Sequence, residues 1–347
     1  MNILSNQFLY TSSSSPTPPP SYTYEAYYIN NGTATLLGTV TDLSKTFACQ
    51  DEYAFSNMFV YEGDLYERGT KVRTSGNITA LSGRTGSSSY YGFFIEDSKL
   101  YRFNSSLSIS LINTEKTWLK VCGRASTSSG PYRAFAETTD GLYHLKYTSS
   151  GGPVKISDLT GWTKITGVGH YSSNSDYGYG IHNGNLYYLN SNYDTVYKQG
   201  TDDTWTDITG GYEDNGDWHG YGINAGKLYK LAGTPTQIGS DTTWTKIGGD
   251  SSNNTYPAYA IGINGGKLYR INGATATQVG SSADWKGCSG FHLQGSNTLS
   301  LAYDSTALYG IGSNGATTKI MDGEFVYCGE NYSSSDGYAV AIRKVAI

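Results

Sequence analysis

The chain has 347 residues, with 44 Gly, 32 Tyr, 15% charged residues and a formal net charge of −5. No apolar run approaches the roughly 20 residues of a membrane-spanning helix, and no strongly basic patch marks a protein that binds nucleic acid through its phosphates. Because Tyr suits half-buried strands and Gly suits turns, the composition favours an all-β fold.

The first 24 residues differ in composition from the rest of the chain. Four serines lead into a stretch that holds half of the prolines, Pro16, Pro18, Pro19 and Pro20. Such a segment is extended and builds no core. We interpret residues 1–24 as an N-terminal tether with a Ser/Pro-rich linker, the alternative being a disordered tail. In the tether hypothesis an apolar tip docks into a partner protein through Ile3, Leu4, Phe8, Leu9 and Tyr10. The segment lacks the basic start and continuous apolar stretch of a secretion signal, which predicts synthesis in the host cytoplasm.

From residue 25 onwards the chain is a repeat with a period of about 40 residues. One complete unit contains Trp244-Thr-Lys-Ile247, Ala260-Ile-Gly-Ile263, Gly266-Lys-Leu-Tyr269 and Thr277-Gln-Val279. These are four β-prone runs separated by Gly, Asn and Ser, a pattern that predicts one four-stranded antiparallel blade of a β-propeller. The third run carries a Leu-Tyr pair that recurs at Leu65, Leu100, Leu142, Leu186, Leu228, Leu268 and Leu308.

The two ends of the repeat predict how the ring closes. Eight first strands precede only seven Leu-Tyr strands, and the last unit stops after its second strand. Residues 26–38 align without gaps on residues 268–280, which are a third and fourth strand. We therefore expect residues 25–347 to form eight blades, one of them a composite of both chain ends, since closure removes free sheet edges. Seven blades remain the alternative if residues 39–72 pack differently.

The repeat also assigns structural roles to Trp and Cys. Five tryptophans recur at the start of a first strand, which predicts packing between blades. They are Trp118, Trp162, Trp205, Trp244 and Trp285. Cys49, Cys122 and Cys328 align at one first-strand position and Cys288 one residue away. Small buried hydrophobic residues are expected there, because no Cys-x-x-Cys pair indicates a metal site.

The unit resembles propellers of the regulator-of-chromosome-condensation type through Trp-x-x-Ile-x-Gly, Tyr-x-Ile and Asn-Gly-x-Leu-Tyr-x-Ile. Its Gly-x-Leu-Tyr-x-Ile element is also similar to tachylectin-type sugar-binding propellers. The first resemblance implies the fold without exchange-factor activity, since the recurrent His is missing from most blades and the basic tail is absent. The order of tether, Ser/Pro linker and weakly charged β-repeat domain looks like bacteriophage tail or capsid appendage proteins.

Catalytic motifs are scarce in the sequence. The five histidines lie at non-equivalent strand and loop positions of the repeat, and no nucleophile elbow, zinc-protease motif or phosphate loop occurs. The acidic stretch from Glu213 to Asp217 lacks the spacing of a calcium loop and is expected to be a turn. We therefore predict a protein that is not an enzyme and has no cofactor and no metal. A propeller hydrolase or lyase using His170 or Glu213 is the enzymatic alternative.

The connections between first and second strands are long and rich in Tyr, Asn and Asp, and they all lie on one face of a propeller. Exposed aromatic rings beside amides and carboxylates suit sugar recognition. The predicted ligand-binding residues are Tyr171, Tyr212, Trp218, Tyr256 and Tyr332. The alternative is that these tyrosines lean on neighbouring blades.

Together these patterns predict a virion structural protein, tail- or capsid-associated, that attaches to other virion proteins through residues 1–24. Its propeller would mediate host attachment by protein–protein contact and, in the finer hypothesis, by receptor binding to surface carbohydrate. The alternative function is a free lectin of the tachylectin-like type with a pocket in every blade. Neither hypothesis involves nucleic acid or membrane insertion.

Overall fold

The computed structural model describes residues 21–48, 58–83, 92–104, 106–113, 115–124, 132–147, 152–168, 177–190, 194–210, 213–214, 217–218, 220–251, 259–292, 300–312, 314–331 and 338–347. Regular structure in these ranges is β, apart from one 3-10 turn at Leu43–Lys45. That turn is far too short to cross a bilayer, and the described ranges contain no longer helix.

The strands form eight four-stranded antiparallel sheets, the blades of a β-propeller. After β1 (Tyr22–Asn30) and β2 (Thr33–Val40), blade I contains β3 (Phe47–Ala48), β4 (Met58–Tyr61), β5 (Asp64–Glu67) and β6 (Thr70–Arg73). Blade II contains β7 (Ile78–Leu81), β8 (Gly92–Glu96), β9 (Lys99–Phe103) and β10 (Ile109–Asn113). Blade III contains β11 (Trp118–Arg124), β12 (Tyr132–Thr138), β13 (Gly141–Tyr147) and β14 (Pro153–Ser157). Blade IV contains β15 (Trp162–Val168), β16 (Tyr177–His182), β17 (Asn185–Asn190) and β18 (Thr195–Lys198).

The remaining blades follow the same order and include four short strands inside connections. Blade V contains β19 (Trp205–Thr209), the short β20 (Glu213–Asp214) and β21 (Asp217–Trp218), then β22 (Gly220–Asn224), β23 (Lys227–Leu231) and β24 (Thr236–Ile238). Blade VI contains β25 (Trp244–Gly248), the short β26 (Asp250–Ser251), then β27 (Tyr259–Asn264), β28 (Lys267–Asn272) and β29 (Thr275–Val279). Blade VII contains β30 (Trp285–Cys288), the short β31 (Phe291–His292), then β32 (Ser300–Asp304), β33 (Ala307–Ile311) and β34 (Thr317–Asp322).

Blade VIII is the composite blade. Its strand order is β2, β1, β36 (Tyr338–Ala346) and β35 (Glu324–Asn331), so each chain end supplies two strands. β1 pairs with β36 over the full length of both strands, and β1 starts at Tyr22, ahead of the boundary drawn at residue 25. The prediction of eight blades with a composite closure is confirmed. The seven-blade alternative is wrong, because β3 to β6 form a blade of their own.

The first strand of each blade lies at the centre of the ring. First strands contact one another from β7 round to β35 and on to β3, and β4 contacts β7. Their backbones come closest where they lead into the connection to the second strand. A Cβ added to Gly167 would lie 2.8 Å from the Cα of Gly123, and one added to Gly248 would lie 2.7 Å from the carbonyl carbon of Ser289. Glycine recurs at these ends because a side chain there would separate neighbouring blades.

The Trp and Leu-Tyr positions of the repeat form the core between blades. Trp205 packs against Ile181 and Leu186 of blade IV, and its ring centroid lies 5.2 Å from that of Tyr229 in its own blade. In each of the five blades that carry this Trp, its side chain packs in one cluster with the Leu of the preceding blade's Leu-Tyr pair and lies beside the Tyr of its own blade. Blades II to VIII share one register irregularity just after this first-strand position. The prediction that the tryptophans pack between blades is confirmed.

Most of the two-residue turns between second and third strands are hydrogen-bonded to the first strand of the next blade. Gly265 and Gly266 both have positive φ, at 54° and 76°, as a type I′ hairpin turn requires. The Gly266 carbonyl accepts a 2.8 Å hydrogen bond from the Trp285 N–H of the following blade. Equivalent bonds run from Trp205 to Gly184 and from Trp244 to Gly226, each at 2.9 Å.

The cysteine alignment made from the sequence needs a correction. Cys288 pairs with Ala302 and Cys328 with Ala341, and both follow the register irregularity by the same number of residues. Cys122 comes one residue later in its strand, so Cys288 and Cys328 are the equivalent pair. The sequence alignment failed because it used the closing glycine, and Gly329 sits one residue early in blade VIII. These three cysteines are buried and not in disulfides, as predicted, and Cys49 lies outside the described residues.

Candidate recognition face

The two faces of the propeller carry connections of very different length. The connections between first and second strands run from six residues at 332–337 to eleven at 289–299, and they share one face. The turns between second and third strands lie on the opposite face and have two residues each in blades I to VII, as at Glu62–Gly63. We call these the long-connection face and the turn face.

Part of the long-connection face has regular backbone pairing. In blade V, β20 and β21 form a small antiparallel hairpin in which Glu213 is opposite Trp218 and Asp214 is opposite Asp217. The acidic stretch is thus a hairpin, consistent with the turn expected from its sequence. Between blades VI and VII, β26 pairs in parallel with β31, with Asp250 opposite Phe291. These pairings involve residues from the connections of three adjacent blades.

Most of the predicted site residues lie outside the described part of the chain. This holds for Tyr171, Tyr212, Tyr256 and Tyr332, and for the N-terminal residues Ile3, Leu4, Phe8, Leu9 and Tyr10. Trp218 is the exception, because its backbone lies in β21. The assignment of these ten residues to ligand or partner binding stays a prediction.

The turn face is occupied by polar contacts that hold blades together. Asn224, the last residue of its strand, accepts a 2.5 Å hydrogen bond from the Thr204 hydroxyl and donates a 3.0 Å bond to the Asp202 carboxylate. In the next blade Asn264 makes the same two bonds, with Thr243 and Asp241. Both motifs occur in the repeat, an Asn at the end of the second strand and an Asp-x-Thr before the next Trp. The hydrogen bonds between them were not predicted from the sequence.

The buried charged groups in the described ranges also serve contacts between strands and blades. Glu137 is fully buried in β12, where blades IV to VI carry isoleucine, and it pairs with Lys120 at 2.6 Å. The other carboxylate oxygen of Glu137 accepts hydrogen bonds from the backbone N–H groups of Gly161 and Trp162. In most other blades a turn carbonyl accepts the N–H of that Trp position, so Glu137 replaces a backbone acceptor that the turn of blade III does not supply.

Two further ion pairs link neighbouring blades. Lys164 of blade IV contacts Asp207 of blade V at 2.7 Å, and the second oxygen of Asp207 accepts the Ile247 N–H of blade VI. Arg73 of blade I forms a forked pair with Glu96 of blade II. Burial raises the pKa of Glu96, but hydrogen bonds from Arg73 and Ser75 and the Arg73 charge outweigh it and hold that pKa below its ordinary value.

Two of the histidines, His144 and His182, lie in structural positions. His144 is fully buried, its Nδ1 lies 3.0 Å from Asp194, and its ring packs on Phe135. His182 lies 3.0 Å from the Thr160 carbonyl and beside the Trp162 ring. His170 of the enzymatic alternative lies outside the described residues. Within those residues, no three His, Cys, Asp or Glu side chains are grouped as a metal site.

Comparison with known proteins finds similarity only at the level of fold. No protein-family model matches the chain, and no curated protein matches it. The dihydro-heme d1 dehydrogenase NirN, solved in complex with DHE, aligns with a TM-score of 0.50 at 12% identity, over 85% of this chain and 72% of NirN. A streptogramin B lyase aligns with a TM-score of 0.47 at 8% identity, over 92% of this chain and 98% of the lyase. Virginiamycin B lyase from Staphylococcus aureus gives 0.45 at 10% identity, over 92% and 99%. At 12% identity the likeness to NirN shows the fold alone and nothing about activity.

Proposed function

We propose that this propeller is a non-enzymatic recognition domain that contacts its target through the long-connection face. The observation that carries the proposal is the difference between the two faces. Each of blades I to VII has a two-residue turn on one side and a connection of seven to eleven residues on the other. Loops that exceed what chain reversal requires are where binding residues concentrate on a rigid scaffold.

The turn face supports this choice by elimination. Asn224 and Asn264 are engaged with the Thr and Asp side chains before the next strands, and Gly184, Gly226 and Gly266 lie against the connections into the next blades. A ligand on that face would compete with contacts that hold the ring together. The long connections carry the predicted aromatic residues Tyr171, Tyr212, Trp218, Tyr256 and Tyr332 instead.

We further propose that residues 1–24 anchor the chain to a virion, as a tail- or capsid-associated appendage whose propeller faces the host cell. The support is the layout of the chain, in which a Ser/Pro-rich segment separates an apolar tip from a weakly charged domain. A linker of this composition is extended and acts as a spacer of about 3 Å per residue. It would therefore carry the tip away from the ring and towards an anchoring protein.

The enzymatic alternative has weaker support. The three aligned structures are named as one dehydrogenase and two lyases, but the likeness to this chain is confined to the fold. The free-lectin alternative requires similar pockets in every blade, and the unequal connection lengths argue against it.

Two measurements on purified virus particles test the proposal. Mass spectrometry should find the chain in the particles, and its absence would contradict the virion assignment. Particles carrying alanine at all five predicted loop aromatics should lose adsorption to cells that wild-type particles infect. Particles with Lys99→Ala and Lys267→Ala, two exposed residues beside the turns, are the matched control and should adsorb normally. Normal adsorption of the five-residue variant would contradict the choice of face.

A further inference from the structure

We infer that the recognition face has one binding site per chain, in the sector of blades V to VII, and that its ligand is a neutral, hydroxyl-rich glycan. This inference rests on the proposed function and gives it a location, a stoichiometry and a ligand class. Its starting point is the distribution of ordered backbone within the long connections.

Strand pairing inside these connections occurs in three consecutive blades of the described chain. The hairpin of β20 and β21 belongs to blade V, and β26 and β31 belong to blades VI and VII. The parallel pairing of β26 with β31 links the backbone of one connection to that of its neighbour at these residues. Binding to groups that are already fixed loses less conformational entropy than binding to groups that must first be ordered. The sector is therefore the part of the face best suited to hold a ligand.

The register places aromatic and acceptor residues along this sector. Trp218 lies in β21, and Phe291 and His292 lie side by side in β31. Asp217 precedes Trp218, and Asp250 is opposite Phe291 in the parallel pair. Aromatic faces can stack on the C–H faces of a sugar ring, while carboxylates accept hydrogen bonds from adjacent hydroxyls.

The charge of the sector selects among glycans. The sequence contains no Lys or Arg from residue 205 to 226, from 247 to 266 or from 287 to 307. The same stretches include Glu213, Asp214, Asp217 and Asp250. Binding of a sialylated, sulfated or phosphorylated ligand is therefore unfavourable, because these stretches carry acidic residues and no Lys or Arg to pair with the anionic groups of the ligand. A neutral glycan has no such penalty, because its hydroxyls donate to the carboxylates.

The repeat also argues for one site and not eight. Connections differ in length from blade to blade, and regular pairing within them is confined to this sector among the described residues. By contrast, Arg84 lies in the blade II connection, and Arg124 and Arg133 flank that of blade III. Blades II and III therefore differ from the sector in the charge of their connections.

The test uses the full chain and a glycan array that carries neutral hexose and N-acetylhexosamine oligosaccharides beside sialylated and sulfated ones. We expect binding to neutral members, and titration calorimetry with the best of these should give one site per chain. Trp218→Ala should weaken binding at least about tenfold, and so should the double change Asp214→Ser with Asp217→Ser. Tyr197→Ala, an exposed tyrosine in the fourth strand of blade IV and not in a long connection, is the matched control and should keep wild-type affinity. The melting temperature of each variant identifies any that fails to fold, and the acidic double variant then decides.

Each outcome separates the inference from the proposed function. Preference for anionic glycans would overturn the ligand class and leave the recognition face standing. Several sites per chain, or full affinity in both sector variants, would overturn the location. Absence of glycan binding, with adsorption still lost in the five-residue loop variant, would overturn the inference and indicate that the face binds a protein.

Discussion

The glycine of the turn between second and third strands offers the sharpest test of how the blades are joined. In Gly266→Ala the new Cβ would lie 2.5 Å from the Ala283 carbonyl oxygen of the connection that leads into blade VII. The residue has a φ of 76°, which costs an L-amino acid about 1–2 kcal/mol. A shift of the turn that relieves the clash also lengthens the hydrogen bond from the Trp285 N–H to the Gly266 carbonyl. Loss of this hydrogen bond costs about 1 kcal/mol. Overpacking against backbone adds about 1–3 kcal/mol, so the expected loss is about 3–6 kcal/mol.

Gly273→Ala is the matched control in the same blade. Gly273 also has a positive φ, 55°, but a Cβ there meets no atom within 4 Å. Only the backbone cost of about 1–2 kcal/mol applies. Urea unfolding followed by tryptophan fluorescence should give a free energy of unfolding at least about 2 kcal/mol lower for Gly266→Ala than for Gly273→Ala. Equal losses in the two variants, with the same urea dependence, would refute the idea that the turn is pressed against the next blade.

Three further predictions concern the contacts between blades. Trp244→Ala should lower the free energy of unfolding by about 3–5 kcal/mol, because the ring is buried between blades V and VI. Trp244→Phe should cost less than half as much, since the indole N–H makes no hydrogen bond in the described structure. Glu137→Gln should cost about 3–5 kcal/mol, because it leaves Lys120 without its charged partner in a buried contact. Glu96→Gln should be less stable than wild type at neutral pH, with the difference shrinking as the pH falls.

The sign of the last effect follows from the lowered pKa of Glu96. A carboxyl whose pKa is lower in the folded state than in the unfolded state stabilises the fold above its unfolded pKa of about 4.3. That stability is lost as the pH falls through the lower, folded pKa. Urea titrations from pH 7 down to about pH 3 measure it. A constant difference between wild type and Glu96→Gln across that range would contradict the assignment.

Similar controls apply to the two other changes. For Trp244, equal losses in the Ala and Phe variants would show that the N–H matters more than the packed ring. For Glu137, a double-mutant cycle with Lys120→Met measures the coupling of the pair. Additive losses would show that the two residues act independently.

Much of the fold is predictable from the sequence because the repeat carries it. The Trp, Leu-Tyr and turn glycine each have one contact that recurs between blades, so periodic spacing alone indicates the meander and the number of blades. The composite blade is predictable because the residues of β1 and β2 match a third and fourth strand elsewhere. In each case a short sequence motif corresponds to one contact that recurs from blade to blade.

The sequence reasoning failed where a residue departs from the repeat to compensate for a change elsewhere. Glu137 stands where other blades carry isoleucine, and its carboxylate accepts the Trp162 N–H in place of a turn carbonyl. This substitution of one acceptor for another can be seen only in the structure. The register of Cys328 was misassigned because Phe325 stands where other blades carry Trp, which left the closing glycine as the only anchor. The loop residues stay predictions for another reason. Their positions vary between repeats, so periodicity says nothing about where their side chains point.

Hydrogen exchange measured by mass spectrometry tests the central claim, recognition through the long-connection face, most directly. The full chain would be compared alone and saturated with the neutral oligosaccharide that binds best on the array. If the ligand binds the long-connection face, exchange should slow in peptides covering residues 211–219, 249–258 and 289–299. Exchange should be unchanged around the turns at Asn183–Gly184, Ala225–Gly226 and Gly265–Gly266. Protection centred on those turns, with the long connections unaffected, would contradict it.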